Sequence, residues 1–202
     1  VWGELAPLYA YVATTYVPIP ALRDFLIDVF NRIIVLALLT IVRGAQTVPQ
    51  AQQIRYPEQS TNSRYIFSIW AFPEETYIDC LRKYFEFTRN YYHKTGYRVN
   101  LLSVGYRIMA DQSSLFSYSF NGGVITFDPV STGNPGWAPF LDAYNALCSE
   151  LGGVPLFNQT AQLTRPQVDK AFGDRPKLFD HYRKRFDPTD RLLNAYFREL
   201  LT

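Results

Sequence analysis

Hydrophobic and polar positions along this chain change period several times, and each change marks an element. Positions 1–43 repeat at helical spacing in two pieces, broken at Pro18 and Pro20. Positions 44–62 are polar, carry two prolines and have no period. That stretch predicts a linker or lid loop, long for a connection inside one domain, of the kind that crosses a partner domain. Arg64 to Phe72 is aromatic and β-branched, which suits a strand. Pro73-Glu74-Glu75 then opens a helix, with Ile78, Leu81, Phe85, Thr88 and Tyr92 at helical spacing and Gly96 as its stop.

Strict alternation follows. Leu102, Val104, Tyr106 and Ile108 alternate with Ser103, Gly105, Arg107 and Met109, predicting a strand within Tyr97 to Ala110. Ser114 to Phe120 and Val124 to Asp128 read as two more strands, joined by the turn residues Asn121-Gly122-Gly123. A second helix buries Phe140, Tyr144, Leu147 and Leu151 and stops at Gly152-Gly153, before a last strand over Val154 to Asn158. Asp187-Pro188-Thr189-Asp190 reads as a helix start with Asp187 as N-cap, followed by the stripe Leu192, Leu193, Tyr196, Phe197 and Leu200.

The order strand, helix, two or three strands, helix, strand predicts an α+β fold. Its plan is a ferredoxin-like antiparallel sheet with helices on one face, plus N-terminal and C-terminal helical segments. The expected division is a helical segment at 1–43, the linker at 44–62, an α+β domain at 63–162 and a helical segment at 163–202.

Composition changes this picture little. Hydrophobic residues make up 48% and charged residues 19% of the 202 residues, which fits a globular chain. The 15 Tyr and 15 Phe are more economically explained as core than as a binding cleft. Net charge is +2 with no basic stripe, which argues against a nucleic-acid footprint. Arg183-Lys184-Arg185 reads as a solvated face beside a helix start. The apolar run from Phe25 to Val42 is interrupted by Asp28, Asn31 and Arg32. Since a charge at a bilayer centre costs roughly 2.5–3.5 kcal/mol, the run reads as a helix against protein or a membrane surface rather than a span. The chain opens on Val1, with no signal-peptide pattern before that run, so a further segment upstream is expected.

Candidate chemistry is sparse. Cys80 and Cys148 sit within helical patterns and read as buried small hydrophobes, leaving the compartment open. With two His and no CxxC pair, no metal site is expected. His93 and His181 read as solvated surface residues, and no nucleotide loop or nucleophile elbow is present. Asp111 and Asp128 flank strands, where Asp often serves the backbone. Arg107 stands out because an arginine in an apolar strand is costly unless it meets an anion or a wet face; both readings stay open. Asn158-Gln159-Thr160 is a polar cluster at a strand end, and formally a glycosylation sequon.

Three stretches carry a resemblance: VGYRIMADQSSLFSYSF (104–120), LGGVPLFNQT (151–160) and HYRKRFDPTDRLLNAYFRELL (181–201). Over residues 64–201 the chain resembles the C-terminal substrate or cap domain of vanillyl-alcohol-oxidase-type FAD-linked oxidases, near the aldonolactone, alditol and decaprenylphosphoryl-ribose oxidases. The resemblance implies FAD held by a separate domain or chain, and hydride transfer from a C–OH carbon to flavin. It implies Arg107 as the catalytic cation stabilising reduced flavin, Tyr106, Tyr118 and Gln159 as substrate-binding, and Arg107, Asn158 and Asn194 as cofactor-binding.

Two positions depart from the family pattern. Gly105 stands where an acid is expected, and Gln159 or Thr160 where a lysine is expected. The alternative is therefore a cap that has lost its chemistry and acts as a binding or subunit-interface module. An apolar N-terminal segment beside an aromatic cap points to a bulky apolar or lipid-like substrate and to peripheral membrane contact.

Overall fold

A computed structural model describes residues 2–41 and 66–201. The expected loop at 44–62 and the first residues of the expected strand at 64 lie outside the described residues. The fold is mixed α/β, with antiparallel sheets and several helices in two compact units.

The first unit is built on a helical hairpin, α1 (Trp2–Tyr16) and α2 (Pro20–Ile41). The break falls where Pro18 and Pro20 place it, and Pro20 takes the first helical position, where no N–H is needed. Ala6, Ala10 and Ala13 form the buried stripe of α1. The small stripe lets the helices close up: Tyr9 stacks on Phe30 at 4.0 Å between centroids and donates its hydroxyl to the Leu26 carbonyl at 3.1 Å. Among the described residues, no helix is long and apolar enough to cross a membrane. A two-stranded sheet pairs β1 (Ile66–Phe67) with β5 (Val130–Ser131).

The second unit contains a four-stranded antiparallel sheet in the order β3-β4-β2-β6. Its strands are β2 (Trp70–Pro73), β3 (Arg107–Ile108), β4 (Val124–Phe127) and β6 (Val154–Pro155). Register pairs Trp70 with Phe127, Ala71 with Thr126 and Pro73 with Val124, while Ala71 also faces Val154 on the other side. Alternation then sends Trp70, Phe72 and Phe127 to one face and Ala71, Pro73 and Val124 to the other.

The first face is the core. Phe72 stacks on Phe127 at 4.4 Å, and α3 (Tyr77–Thr95) adds Tyr84 against Phe127 at 5.1 Å. From α4 (Trp137–Glu150), Tyr144 packs edge-on to Tyr84 and donates a 2.6 Å hydrogen bond to the Phe127 carbonyl. The aromatic richness is thus largely core, as composition implies. Cys80 and Cys148 are buried free thiols, and His93 and His181 are exposed.

Several expected elements differ. The alternating stretch 97–110 pairs only through Val104 and Arg107–Ile108. Residues 114–120 form turns rather than a strand, because side chains satisfy their backbone: Arg175 donates to the Leu115 and Ser117 carbonyls, and Ser117 Oγ accepts the Ser119 amide. Phe116 is drawn out of any pleat into a second aromatic cluster with Phe157, Phe172 and Phe179. The last strand ends at Pro155 and passes into a 3-10 turn over Phe157–Gln159.

The C-terminal third is helical, in three pieces: α5 (Arg165–Phe172), α6 (Arg175–Phe186) and α7 (Ala195–Leu201). Asp187 does not start a helix; it ends α6. Its carboxylate still gathers two amides, of Arg191 and Leu192 at 2.8 and 2.9 Å, but in a turn. The helix begins at Ala195 instead, and Asn194 caps it by accepting the Phe197 amide at 2.9 Å. Arg183 is not on a solvated face. It is nearly buried in the last turn of α6, paired with Asp180 at 2.7 Å and with Asp190, where cations also suit the helix dipole.

Candidate functional site: a cleft on the open face of the sheet

The side of the sheet away from α3 and α4 carries a cavity of about 150 Å³. Its floor is Ala71, Pro73, Val124 and Val154, the alternate positions of three neighbouring strands. Its wall is the turn segment 117–123, and Arg175, the first residue of α6, closes one side.

Arg175 is held in a rigid setting. Its guanidinium lies over the rings of Phe120 at 4.7 Å and Phe172 at 5.1 Å. Nε donates to the Phe172 carbonyl at 3.0 Å, and the two Nη atoms donate to carbonyls of Leu115, Ser117 and Ala171 at 3.3–3.4 Å. Every one of these partners is neutral, and Arg175 has no ion pair among the described residues. Partial burial lowers its pKa from the usual guanidinium value, the expected response of a cation that loses some of its water and gains no ion-pair partner. Tyr118, Asn121 and Glu75 also line the cavity.

The residues singled out by sequence are spread over several places. Tyr118 is in the cavity, and burial, followed by the negative charge of Asp128, raises its phenol pKa. Arg107 sits on edge strand β3, opposite Ile125 and so on the helix-bearing side, with its side chain 64% exposed. Its Nε and Nη2 donate to the two carboxylate oxygens of Glu74, both at 3.1 Å. Tyr106 is half exposed beside it. Asn158 and Gln159 are exposed in the 3-10 turn, and Asn194 is spent on capping α7. None of these residues other than Tyr118 borders the cavity.

The departures from the family pattern have local causes. A Cβ at Gly105 would come within 2.8 Å of the Thr126 carbonyl oxygen, so an acidic side chain there needs the backbone to move. Thr160 is buried and donates its hydroxyl to the Ile69 carbonyl at 2.7 Å, tying the end of β6 to β2. Asp111 is exposed and folded onto Ser113, while Asp128 is fully buried, so the two do not act as a carboxylate pair.

Asp128, at a strand end where Asp often serves the backbone, is electrostatically unusual. Oδ2 accepts the Thr126 hydroxyl at 3.2 Å and Oδ1 has no partner. Burial pushes its pKa up to about 7, against a smaller lowering from that hydrogen bond. Arg175 had no sequence signal either, since its partners at 115 and 117 are about sixty residues away. No cluster of His, Cys, Asp and Glu suited to a metal occurs among the described residues. No protein-family model and no curated protein matches the chain.

Proposed function

We propose that the chain is the substrate-side, cap part of an FAD-dependent oxidoreductase that oxidises a C–OH group by hydride transfer to flavin. The flavin would be held by a separate domain or chain. On this reading the second unit is a ferredoxin-like split βαβ arrangement, with β2-α3-β3-β4-α4-β6 giving the order β3-β4-β2-β6. The observation that carries the proposal is the cleft on the face of that sheet away from α3 and α4. A sheet with one face packed by α3 and α4 and the other bearing a small recess with an apolar floor and a polar rim suits covering a planar group held by a partner. The resemblance of 104–120, 151–160 and 181–201 to flavin-oxidase caps supplies the identity of that group.

Arg107 and Tyr106 lie exposed on an edge strand with Val104 and Met109, a mixed apolar and cationic border suited to a partner. The exposed Leu22, Phe25, Ile33 and Leu36 of α2 offer a further apolar surface to a partner or a bilayer surface. The second reading, a cap without chemistry, is favoured by one observation: Arg107 is already committed to Glu74 through two hydrogen bonds.

Absorbance decides between them. The native assembly containing this chain is expected to be yellow, with a bound-flavin spectrum that bleaches on substrate addition. A complete, stoichiometric assembly without flavin absorbance overturns the oxidase reading and leaves the interface module.

A further inference from the structure

The cleft has more specific chemistry than a generic recess. Four polar side chains line it with binding capacity unspent. Tyr118, Asn121 and Glu75 make no side-chain hydrogen bond or ion pair among the described residues, and Arg175 has no counter-charge. The cation is also immobilised. Two rings and four carbonyls fix its plane, leaving one Nη2 hydrogen unassigned. A positioned, partly desolvated guanidinium without a carboxylate is a ready anion site, because the ordering cost has already been met by the fold.

Size and charge narrow the ligand. A cavity of about 150 Å³ lies below the roughly 300–1,000 Å³ usual for drug-sized ligands, so it suits a small one. Glu75 on the same cavity disfavours a second negative charge but accepts a hydroxyl proton, and Tyr118 and Asn121 offer further hydrogen bonds. We infer that the cleft binds a short hydroxycarboxylate monoanion, its carboxylate on Arg175 and its hydroxyl directed to Glu75, Tyr118 or Asn121. As a substrate site this rests on the cap reading. The cavity belongs wholly to this chain, however, so binding is measured without flavin, and its failure is separate from a colourless assembly.

The test titrates the full chain with lactate, with propane-1,2-diol as the neutral isostere and inorganic phosphate as the multiply charged anion. Backbone amide shifts at Gly122, Gly123 and Gly152 and the unfolding midpoint are followed. Lactate is expected to give saturable shifts and raise the midpoint, while the diol does neither. Arg175→Met should weaken lactate by about tenfold or more, equivalent to about 1.4 kcal/mol. Because Arg175 also braces the 115–117 turn, Glu75→Lys at the exposed rim provides a second reading. It should tighten lactate and admit phosphate. Absent lactate shifts, equal shifts with the diol, or unchanged anion affinity in Glu75→Lys would each overturn the assignment.

Discussion

Trp70 Nε1 donates a 2.9 Å hydrogen bond to Oδ1 of Asn145, and both residues are fully buried. The same Asn145 oxygen accepts the Ser68 hydroxyl at 3.4 Å, and its Nδ2 donates to the Ala161 carbonyl at 2.9 Å. One amide therefore ties α4 to β2 and to the chain leaving the 3-10 turn, in a core rich in aromatic rings. Asn145→Ala leaves an indole N–H and a carbonyl unpaired away from water. At about 1–3 kcal/mol per stranded group, the variant should lose several kcal/mol of stability in denaturant unfolding. Asn145→Asp, which cannot donate to Ala161 when ionised, should be rescued partly by acid.

Asp128 makes stability depend on pH in the opposite sense to a salt-bridged carboxylate. Its folded pKa, about 7, lies above the ordinary carboxyl value of 3.8. Between those values the folded state holds a proton that the unfolded state releases, so this group's contribution falls as pH rises and levels off above about 7. The exposed acids Asp111 and Asp174 and the part-buried Asp180 and Asp190 have lowered pKa values and act the other way, each losing its contribution as pH falls through its folded pKa. Comparison with Asp128→Asn isolates the buried group. The variant's advantage over the parent should grow from about pH 4 to about pH 8 in urea midpoints, and a constant difference would refute the buried-carboxyl assignment.

Asn194 and Asp187 divide the work that sequence assigns to Asp187 alone. Asn194→Ala removes the acceptor for the Phe197 amide and should cost about 0.5–2 kcal/mol, with faster amide exchange confined to α7 (Ala195–Leu201). Asp187→Ala frees the Arg191 and Leu192 amides instead, so its exchange should rise in the turn before α7. If Asp187→Ala alone melted α7, the cap would have been assigned to the wrong residue.

Gly153 is a packing glycine. A Cβ there would meet two Phe72 ring carbons at 2.8 Å and the Cys148 carbonyl oxygen at 3.0 Å. Gly153→Ala should therefore destabilise by about 1–3 kcal/mol through overpacking. Gly123→Ala meets only the flexible Glu74 carboxylate at 2.5 Å. It should displace the Arg107 partner with little loss of unfolding midpoint. If Arg107 acts on flavin in the assembly, freeing it from Glu74 should change the flavin reduction rate, and Arg107→Ala should lower that rate.

The sequence alone located the helices over 77–95 and 137–150, the turns that end them, and the break between α1 and α2. The helical periods of 77–95 and 137–150, the glycines at 96 and 152, and the proline break at 18–20 act through contacts within one or two turns, so a local pattern contains their cause. The buried face of 77–95 is set by tertiary packing instead, with Cys80 and Tyr84 inside and Ile78 and Phe85 of the expected stripe exposed. Tyr118, which lines the cleft, is indicated only through the resemblance of 104–120 to flavin-oxidase caps and not through local pattern. What it left undecided depends on groups distant in the chain. Segment 114–120 has the composition of a strand, but Arg175 takes its carbonyls and Phe116 is buried against α5 and α6. Asp187-Pro188 has the chemistry of a helix start, but α6 runs into it and the carboxylate is left to order a turn. The cleft itself could come only from tertiary structure. Ala71, Val124 and Val154 become neighbours by register, and Arg175 becomes a binding group by what its surroundings withhold, namely a counter-charge. Charge compensation is a property of a neighbourhood, and for Arg175 that neighbourhood is assembled from segments about sixty residues apart.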